Sequence, residues 1–256
     1  MATNGIELEI NGRVATLTIL REQRRNSLDN PALEQMLKHL DEVRRSGVSV
    51  LIVSGEGVKA FCAGSDLKAL AAYSEEDARR HTQLFQDVME RVDELPCATI
   101  AAIEGFCLGG GLELALCCDY RIASSESFFG FPEITVGALP TGGGTVRAPR
   151  AIGFTRAREM LVFGGRLAAD KALNWGLISE IVNAGSTRES ALAMARPYAE
   201  KVDPISVALL KHILVGGYGT STRAGHTLAY LADFALVQRE SFKAGVSDFS
   251  AKKKAD

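Results

Sequence analysis

The sequence predicts an α/β fold in which parallel strands are joined by crossover helices. Two fully apolar runs, "VSVLIVSG" at 48–55 and "ATIAAIEG" at 98–105, read as strands buried on both faces. Each is followed by a glycine-containing loop and then by a helical pattern. The order strand, glycine loop, helix thus occurs twice in succession, which argues for parallel pairing. Ligands in such folds sit at the carboxyl ends of the strands, where the loops 62–67 and 105–111 fall.

The elements follow in order. "IELEINGRVATLTI" alternates on both sides of Asn11-Gly12 and reads as a hairpin whose turn takes positive φ at both central positions. In "DNPALEQMLKHLDEVRRSG", Asn30 is placed to cap a helix and Pro31 fits its first position. Leu33, Met36, Leu37, Leu40 and Val43 share one face of that helix, and Gly47 can end it. After the first buried strand, "FCAGSDLKALAAY" is a loop that turns into a helix. A helix over about 75–95 carries Phe85, Val88, Met89 and Val92 inward. The second strand leads into "EGFCLGGGLELALCC". Beyond Pro140 the pattern is helical at 145–152, 155–163 and 169–175, with a short strand "LISEIV" at 177–182. From Ser186 onward it is nearly all helix, broken at "DPISV", and 221–249 reads as one amphipathic helical region. The expected division is a core over 1–195 and a helical region over 196–256.

A chain of 256 residues with 46% hydrophobic and 23% charged residues can build a sizeable core, and global disorder is excluded. A net charge of −2 gives no general attraction to nucleic acid or anionic membranes. The "KKK" at 252–254 reads as a solvated basic tail. Five cysteines, an odd number without zinc spacing, suit buried thiols in a reducing cytoplasm. "MATNGIELEI" carries no export or transit pattern, and no apolar run approaches the ~20 residues of a membrane span. His39, His81, His212 and His226 show no HExxH or paired spacing, so no metal site is expected.

The chemistry concentrates in "EGFCLGGGLELALCCDYRIASSESFFGFPE", residues 104–133. Amides at a helix N-terminus lack intrahelical partners, and glycine lets a ligand approach them closely. Gly109, Gly110 and Gly111 therefore read either as donors to an anion or as close packing. The loop "CAGSD" offers a second set of donors, and two converging amides make an oxyanion hole. Glu113, in the first turn after the glycines, is favoured in its charged form by the helix dipole and suits a base. Glu133, after the apolar "FFGFP", should have a raised pKa and suit an acid. The second run, "PTGGGTVR" at 140–147, either lines the same pocket or only turns the chain. GxGxxG is absent after either strand, which argues against a nicotinamide site. Cys62, between Phe61 and Ala63, reads as a packed thiol.

Five blocks in this order resemble the enoyl-CoA hydratase/isomerase (crotonase) superfamily: "RRNSL" (24–28), "KAFCAGSDL" (59–67), "IAAIEGFCLGGGLELALCCDYRIAS" (100–124), "FGFPEITVGALPTGGGT" (129–145) and "GRLAADKALNWGLISEIV" (165–182). The resemblance implies a spiral of ββα units with a C-terminal helical trimerisation region, assembled as trimers or dimers of trimers. It implies an acyl-CoA thioester whose carbonyl is held by the amides of Ser65 and Gly110. It further implies that Glu113 activates water for attack at the β-carbon and Glu133 exchanges the α-carbon proton. Arg24 and Arg25 would lie near the coenzyme A phosphates, and backbone near Ala63, Asp66 and Leu67 would hold its adenine end. No separate cofactor is implied, because coenzyme A is part of the substrate. Glu22 stands where the family often has proline, Ser65 where alanine is common, and Ala244 where glutamate is common.

Both glutamates favour hydration of a trans-2-enoyl-CoA. The alternatives within the superfamily are an isomerase, which needs only the carboxyl matching Glu133, and other acyl-CoA lyases such as dehydratases of carnitine-derived thioesters. A serine peptidase on the same fold would need a histidine beside Ser65, and none lies near the two loops in sequence. An RNA-binding relative is disfavoured by the charge of −2 and the intact pair of glutamates.

Overall fold

The computed structural model describes residues 5–217 and 219–252, with the side chains of residues 248, 249, 251 and 252 left out. Lys253 and Lys254 of the basic tail lie outside the described residues. The chain divides after Glu200 into two compact units.

The first unit is built on two sheets. Strands β1 (Gly5–Asn11), β2 (Val14–Leu20), β3 (Val50–Gly55), β5 (Ala98–Ile103), β7 (Tyr120–Ser124) and β10 (Glu180–Val182) form the larger sheet, in that spatial order. Strands β4 (Ala60–Cys62), β6 (Phe106–Leu108), β8 (Phe128–Gly130) and β9 (Arg166–Ala168) form the smaller one. From β3 to β8 the chain alternates between the sheets, so each ββα turn adds one parallel strand to both. This is the spiral architecture that the resemblance implied. Each strand of the smaller sheet has only three residues, too few to show periodicity, and the sequence pattern reads them as loop.

The hairpin forms with a different turn. Asn11 pairs with Val14, which leaves Gly12 and Arg13 as the central residues. Gly12 has φ 59° and Arg13 is not among the residues with positive φ. Glycine at the first central position alone is the type II′ solution. The two fully apolar strands are explained by burial on both faces. Val50, Ile52, Ile100 and Ala102 face Ala191, Ala195 and Ala199 of helix α8 (Thr187–Lys201). Leu51, Val53, Ala101 and Ile103 face the main core with helices α1 (Asn30–Ser46), α3 (Glu75–Asp93) and α4 (Gly110–Leu116).

Helix α1 ends at Gly47 in the left-handed region, as its sequence predicts. Its cap is Asp29, whose Oδ1 accepts from Ala32 N–H at 3.1 Å. Asn30 is instead the first helical residue, and its side chain is engaged elsewhere. A short helix α2 (Leu67–Leu70) follows β4, with Asp66 as its cap. Helices α5 (Gly144–Ile152), α6 (Phe154–Phe163) and α7 (Ala169–Trp175) match the pattern read after Pro140.

The second unit holds α9 (Pro204–Gly217), α10 (Thr222–Leu236) and α11 (Glu240–Lys252). The single region read over 221–249 is thus two helices. Within this unit Ser221 caps α10, and Asp203 accepts hydrogen bonds from the hydroxyls of Ser206 and Ser241. The five cysteines are buried and none is in a disulfide. Among the described residues, no helix is long and apolar enough to cross a membrane. Among the same residues, no group of three or more His, Cys, Asp or Glu side chains is placed to hold a metal ion.

Candidate active site

Ser65, Gly110, Glu113 and Glu133 line one cavity of about 300 Å³ in the first unit. The glycine run explains how two carboxyls fit there. Gly109 turns the chain from β6 into α4 with φ 54°, a conformation strained for any side chain. A methyl on Gly109 would lie 2.9 Å from Glu133 Oε1, and one on Gly110 would lie 2.3 Å from the ring of Phe85. Hydrogen at both positions is what lets the acid and the aromatic ring pack directly on the backbone.

Ser65 and Gly110 each bring backbone to this cavity. The Gly109 N–H donates to Gly130 O, and the bonds of α4 begin with Leu112 and Glu113 donating to Gly109 O. The Gly110 N–H is therefore one of the outward-facing donors of a helix start. Ser65 forms an isolated parallel bridge with Leu28. Its two bonds, Leu28 N–H to Gly64 O and Asp66 N–H to Leu28 O, use the residues that flank Ser65. In a parallel ladder the central residue's own N–H then points to the opposite side.

The two carboxyls have different surroundings. Glu113 Oε1 accepts from Gly144 N–H at 2.7 Å, and Gly144 is the first residue of α5. Burial raises the Glu113 pKa, while the amides of Gly144 and Gly142 and the guanidinium of Arg147 oppose the rise. The expectation that the dipole of α4 keeps this group ionised is corrected here. Helix α4 has only seven residues, and the donors come from the glycine run 142–144. That run therefore both turns the chain and lines the site. Burial pushes the Glu133 carboxyl up to about 7, with Glu113 adding to the rise. Its Oε2 is buried with no hydrogen-bond partner among the described residues.

A histidine also lines the cavity. His81 Nε2 lies 2.8 Å from Ser65 Oγ, and its Nδ1 lies 2.8 Å from Asn30 Oδ1. Sequence distance hid this contact, although His81 falls on the same inward stripe of α3 as Phe85, Val88 and Met89. Cys62 is fully buried, and burial pushes its thiol up to about 12, as befits a packed thiol.

The residues read as coenzyme A contacts are distributed more widely. Ala63 and Leu67 line the cavity. The Ala63 N–H donates to Arg25 O and the Asp66 N–H to Leu28 O. The Asp66 carboxylate caps α2 and accepts from Arg24 at 2.7 Å and Arg21 at 3.3 Å. Burial opposes its ionisation, but the Ala69 amide and these two arginines outweigh burial and hold its pKa down. Arg24 and Arg25 are exposed and are not among the cavity-lining residues. The Arg25 guanidinium lies over the Phe106 ring at 5.6 Å, and Arg166 lies over the same ring at 5.4 Å. Arg166 was not read as a site residue, because only the fold brings it beside Arg25.

Asn26 holds this segment in shape. Arg25 and Asn26 both have positive φ, 53° and 55°. The buried Asn26 amide donates to Ala60 O at 2.6 Å and Glu56 O at 3.0 Å, and its Oδ1 accepts from Arg21 N–H at 3.0 Å.

Residues 9–256 match the family model described as enoyl-CoA hydratase/isomerase. The chain is 34% identical over 218 residues to a short-chain-enoyl-CoA hydratase of Clostridium acetobutylicum, covering 85% of this chain and 83% of the relative. It is 34% identical over 253 residues to an (E)-benzylidenesuccinyl-CoA hydratase of Thauera aromatica, covering 97% and 96%. The crystal structure of an enoyl-CoA hydratase from Bacillus anthracis superposes with a TM-score of 0.92 at 34% identity, covering 96% of each chain.

Proposed function

Because the chain belongs to the enoyl-CoA hydratase/isomerase family, we propose that it works as an enoyl-CoA hydratase, adding water across the double bond of a trans-2-enoyl-CoA thioester. The observation that supports this reading is that Ser65 and Gly110 bring backbone to the one cavity that two unlike carboxyls share.

Adding hydroxyl to the β-carbon drives negative charge onto the thioester oxygen. The amides of Ser65 and Gly110 stabilise that charge, and fixed donors need no reorganisation as it develops. Glu113 is the base. Its donors from the 142–144 run and Arg147 favour the carboxylate, which takes a proton from water as the oxygen attacks. Glu133 is the acid. With a pKa of about 7 it keeps a proton near neutral pH and delivers it to the α-carbon. Two carboxyls of different proton affinity are what an addition of H and OH requires. An isomerase needs only the second of them.

Arg24, Arg25 and Arg166 supply positive charge for the phosphates of coenzyme A, and the backbone near Ala63, Asp66 and Leu67 supplies polar contacts for its adenine. Coenzyme A enters and leaves with the substrate, and no other cofactor takes part. Copies of the chain assemble as a trimer or a dimer of trimers. Exposed Leu210 and Leu214 on α9, and Tyr230, Leu231 and Phe234 on α10, support that assembly. Five buried thiols, none in a disulfide, support a reducing, cytoplasmic setting.

The direct test is loss of the conjugated-thioester absorbance of crotonyl-CoA with formation of 3-hydroxybutanoyl-CoA. Absence of turnover with trans-2-enoyl-CoA substrates of every chain length would end the hydratase reading.

A further inference from the structure

The contact between Ser65 and His81 extends into a chain of three groups. Asn30 Nδ2 donates to Asp77 O at 3.2 Å, which sets the orientation of its amide and leaves Oδ1 as the acceptor facing His81. His81 Nδ1 therefore carries the ring proton, and Nε2 presents its lone pair to the Ser65 hydroxyl at 2.8 Å. The ring is 4% exposed and is flanked by the rings of Tyr73 and Phe85 at 5.9 and 5.6 Å. Burial lowers its pKa, with Asp29 and Asp66 opposing, so the ring is uncharged at neutral pH. Serine, a neutral imidazole held in one tautomer, and an orienting side-chain oxygen are the three parts of an activated nucleophile.

The position of the serine adds a second observation. A carbonyl oxygen that accepts from the Ser65 N–H brings its carbon within reach of the same residue's Oγ, because only Cα and Cβ separate the amide nitrogen from that oxygen. A nucleophile whose own N–H forms part of the oxyanion hole is also the arrangement of chymotrypsin-type proteases. We propose that Ser65, His81 and Asn30 form an acyl-transfer triad that hydrolyses acyl-CoA thioesters bound in the same cavity. The inference rests on the reading that this cavity binds an acyl-CoA.

The steps balance. Ser65 Oγ bonds to the thioester carbon while His81 Nε2 takes the hydroxyl proton. The carbon–sulfur bond breaks, and His81 returns that proton to the coenzyme A sulfur. Water then attacks the acyl-serine ester, His81 takes its proton, and Ser65 leaves as the hydroxyl. The sum is thioester plus water giving a carboxylic acid and the free thiol. Asn30 orients the ring but carries no charge to stabilise an imidazolium. That limitation suits a thioester, whose leaving thiolate is far better than an amine.

Butanoyl-CoA is the discriminating probe, since it has neither a double bond to hydrate nor a β-hydroxyl to eliminate. The expected result is protein-dependent release of thiol, with a butanoyl adduct on Ser65 visible by intact-protein and peptide mass. Ser65→Ala, which keeps the backbone amide, and His81→Gln should each lower the release by about 10²-fold or more. No release above buffer would overturn the proposal. So would release that survives Ser65→Ala but falls in Glu133→Gln, since the nucleophile would then be water. Crotonyl-CoA hydration is followed in the same preparation. Hydration without thiol release removes the triad alone, and loss of both removes the acyl-CoA reading as well.

Discussion

Glu113 accepts a 2.7 Å hydrogen bond from the amide of Gly144, which begins a different helix. The carboxylate is thereby fixed by backbone in the cavity that Glu133 also lines, and the proposed mechanism gives the two acids separate parts. Glu113→Gln is expected to lower crotonyl-CoA hydration about 10²–10⁴-fold while keeping exchange of the α-proton of butanoyl-CoA in heavy water. Glu133→Gln should lose both. Persistent exchange in Glu133→Gln would refute the assignment of the acid.

The pH profile of kcat/KM should be a bell. Its alkaline limb falls above about pH 7, because Glu133 must be protonated to serve the α-carbon. Its acidic limb falls as Glu113 gains a proton, at a pH above the ordinary carboxylate range because burial raises that group. Initial rates across pH 4–9 at low substrate check both limbs.

Stability should carry the same signature. The Glu133 carboxyl binds its proton up to about pH 7 in the fold, against 4.5 for an unperturbed glutamate. Between those values the native state holds more protons than the unfolded chain, so stability falls as pH rises and levels off above 7. Glu133→Gln should therefore be more stable than the parent at pH 8, by about 1–2 kcal/mol after allowing for solvent in the cavity, and nearly equal to it at pH 4. Urea midpoints at the two pH values measure the difference.

Gly110→Ala should lower kcat about 10²–10³-fold, the loss expected when one oxyanion donor is displaced. The cause is steric, since the methyl would sit 2.3 Å from the Phe85 ring. Adding Phe85→Leu should recover part of the rate. If the double variant is no faster than Gly110→Ala, the ring does not set the position of the amide.

Asn26→Ala should destabilise the chain by about 2–4 kcal/mol, because it strands Ala60 O, Glu56 O and Arg21 N–H and removes a side chain that supports positive φ. Denaturant unfolding reads the loss directly.

Much of the fold was legible because its signals are local. The buried strands announce themselves by unbroken apolar runs, and α1 and α3 by their 3.6-residue stripes. The smaller sheet was not legible, since three-residue strands carry no period. At the site, Glu113, Glu133, Ser65 and Gly110 were readable from glycines, apolar flanks and the resemblance. His81, Asn30 and Arg166 were not, because their contacts join distant stretches, such as Asn30 and His81 at a sequence separation of 51. Asn30 also looked like a cap, a role that Asp29 takes. The helix dipole was the wrong guide for Glu113, since α4 has only seven residues and the donors come from Gly142 and Gly144.

The spiral has a consequence for the width of the proposed oxyanion hole. Its two donors lie just beyond β4 and β6, which are hydrogen-bonded neighbours in the smaller sheet. Adjacent strands lie about 4.8 Å apart. Two amide nitrogens at that ladder spacing would be seen at an angle near 110° by an oxygen about 2.9 Å from both, close to the angle between carbonyl lone pairs. In the proposed site, the gap between the two donors is thus set in the first place by a ladder dimension of the protein backbone. Changing Ser65, His81 or either glutamate can alter what happens to the bound carbonyl while leaving the grip itself at its original size.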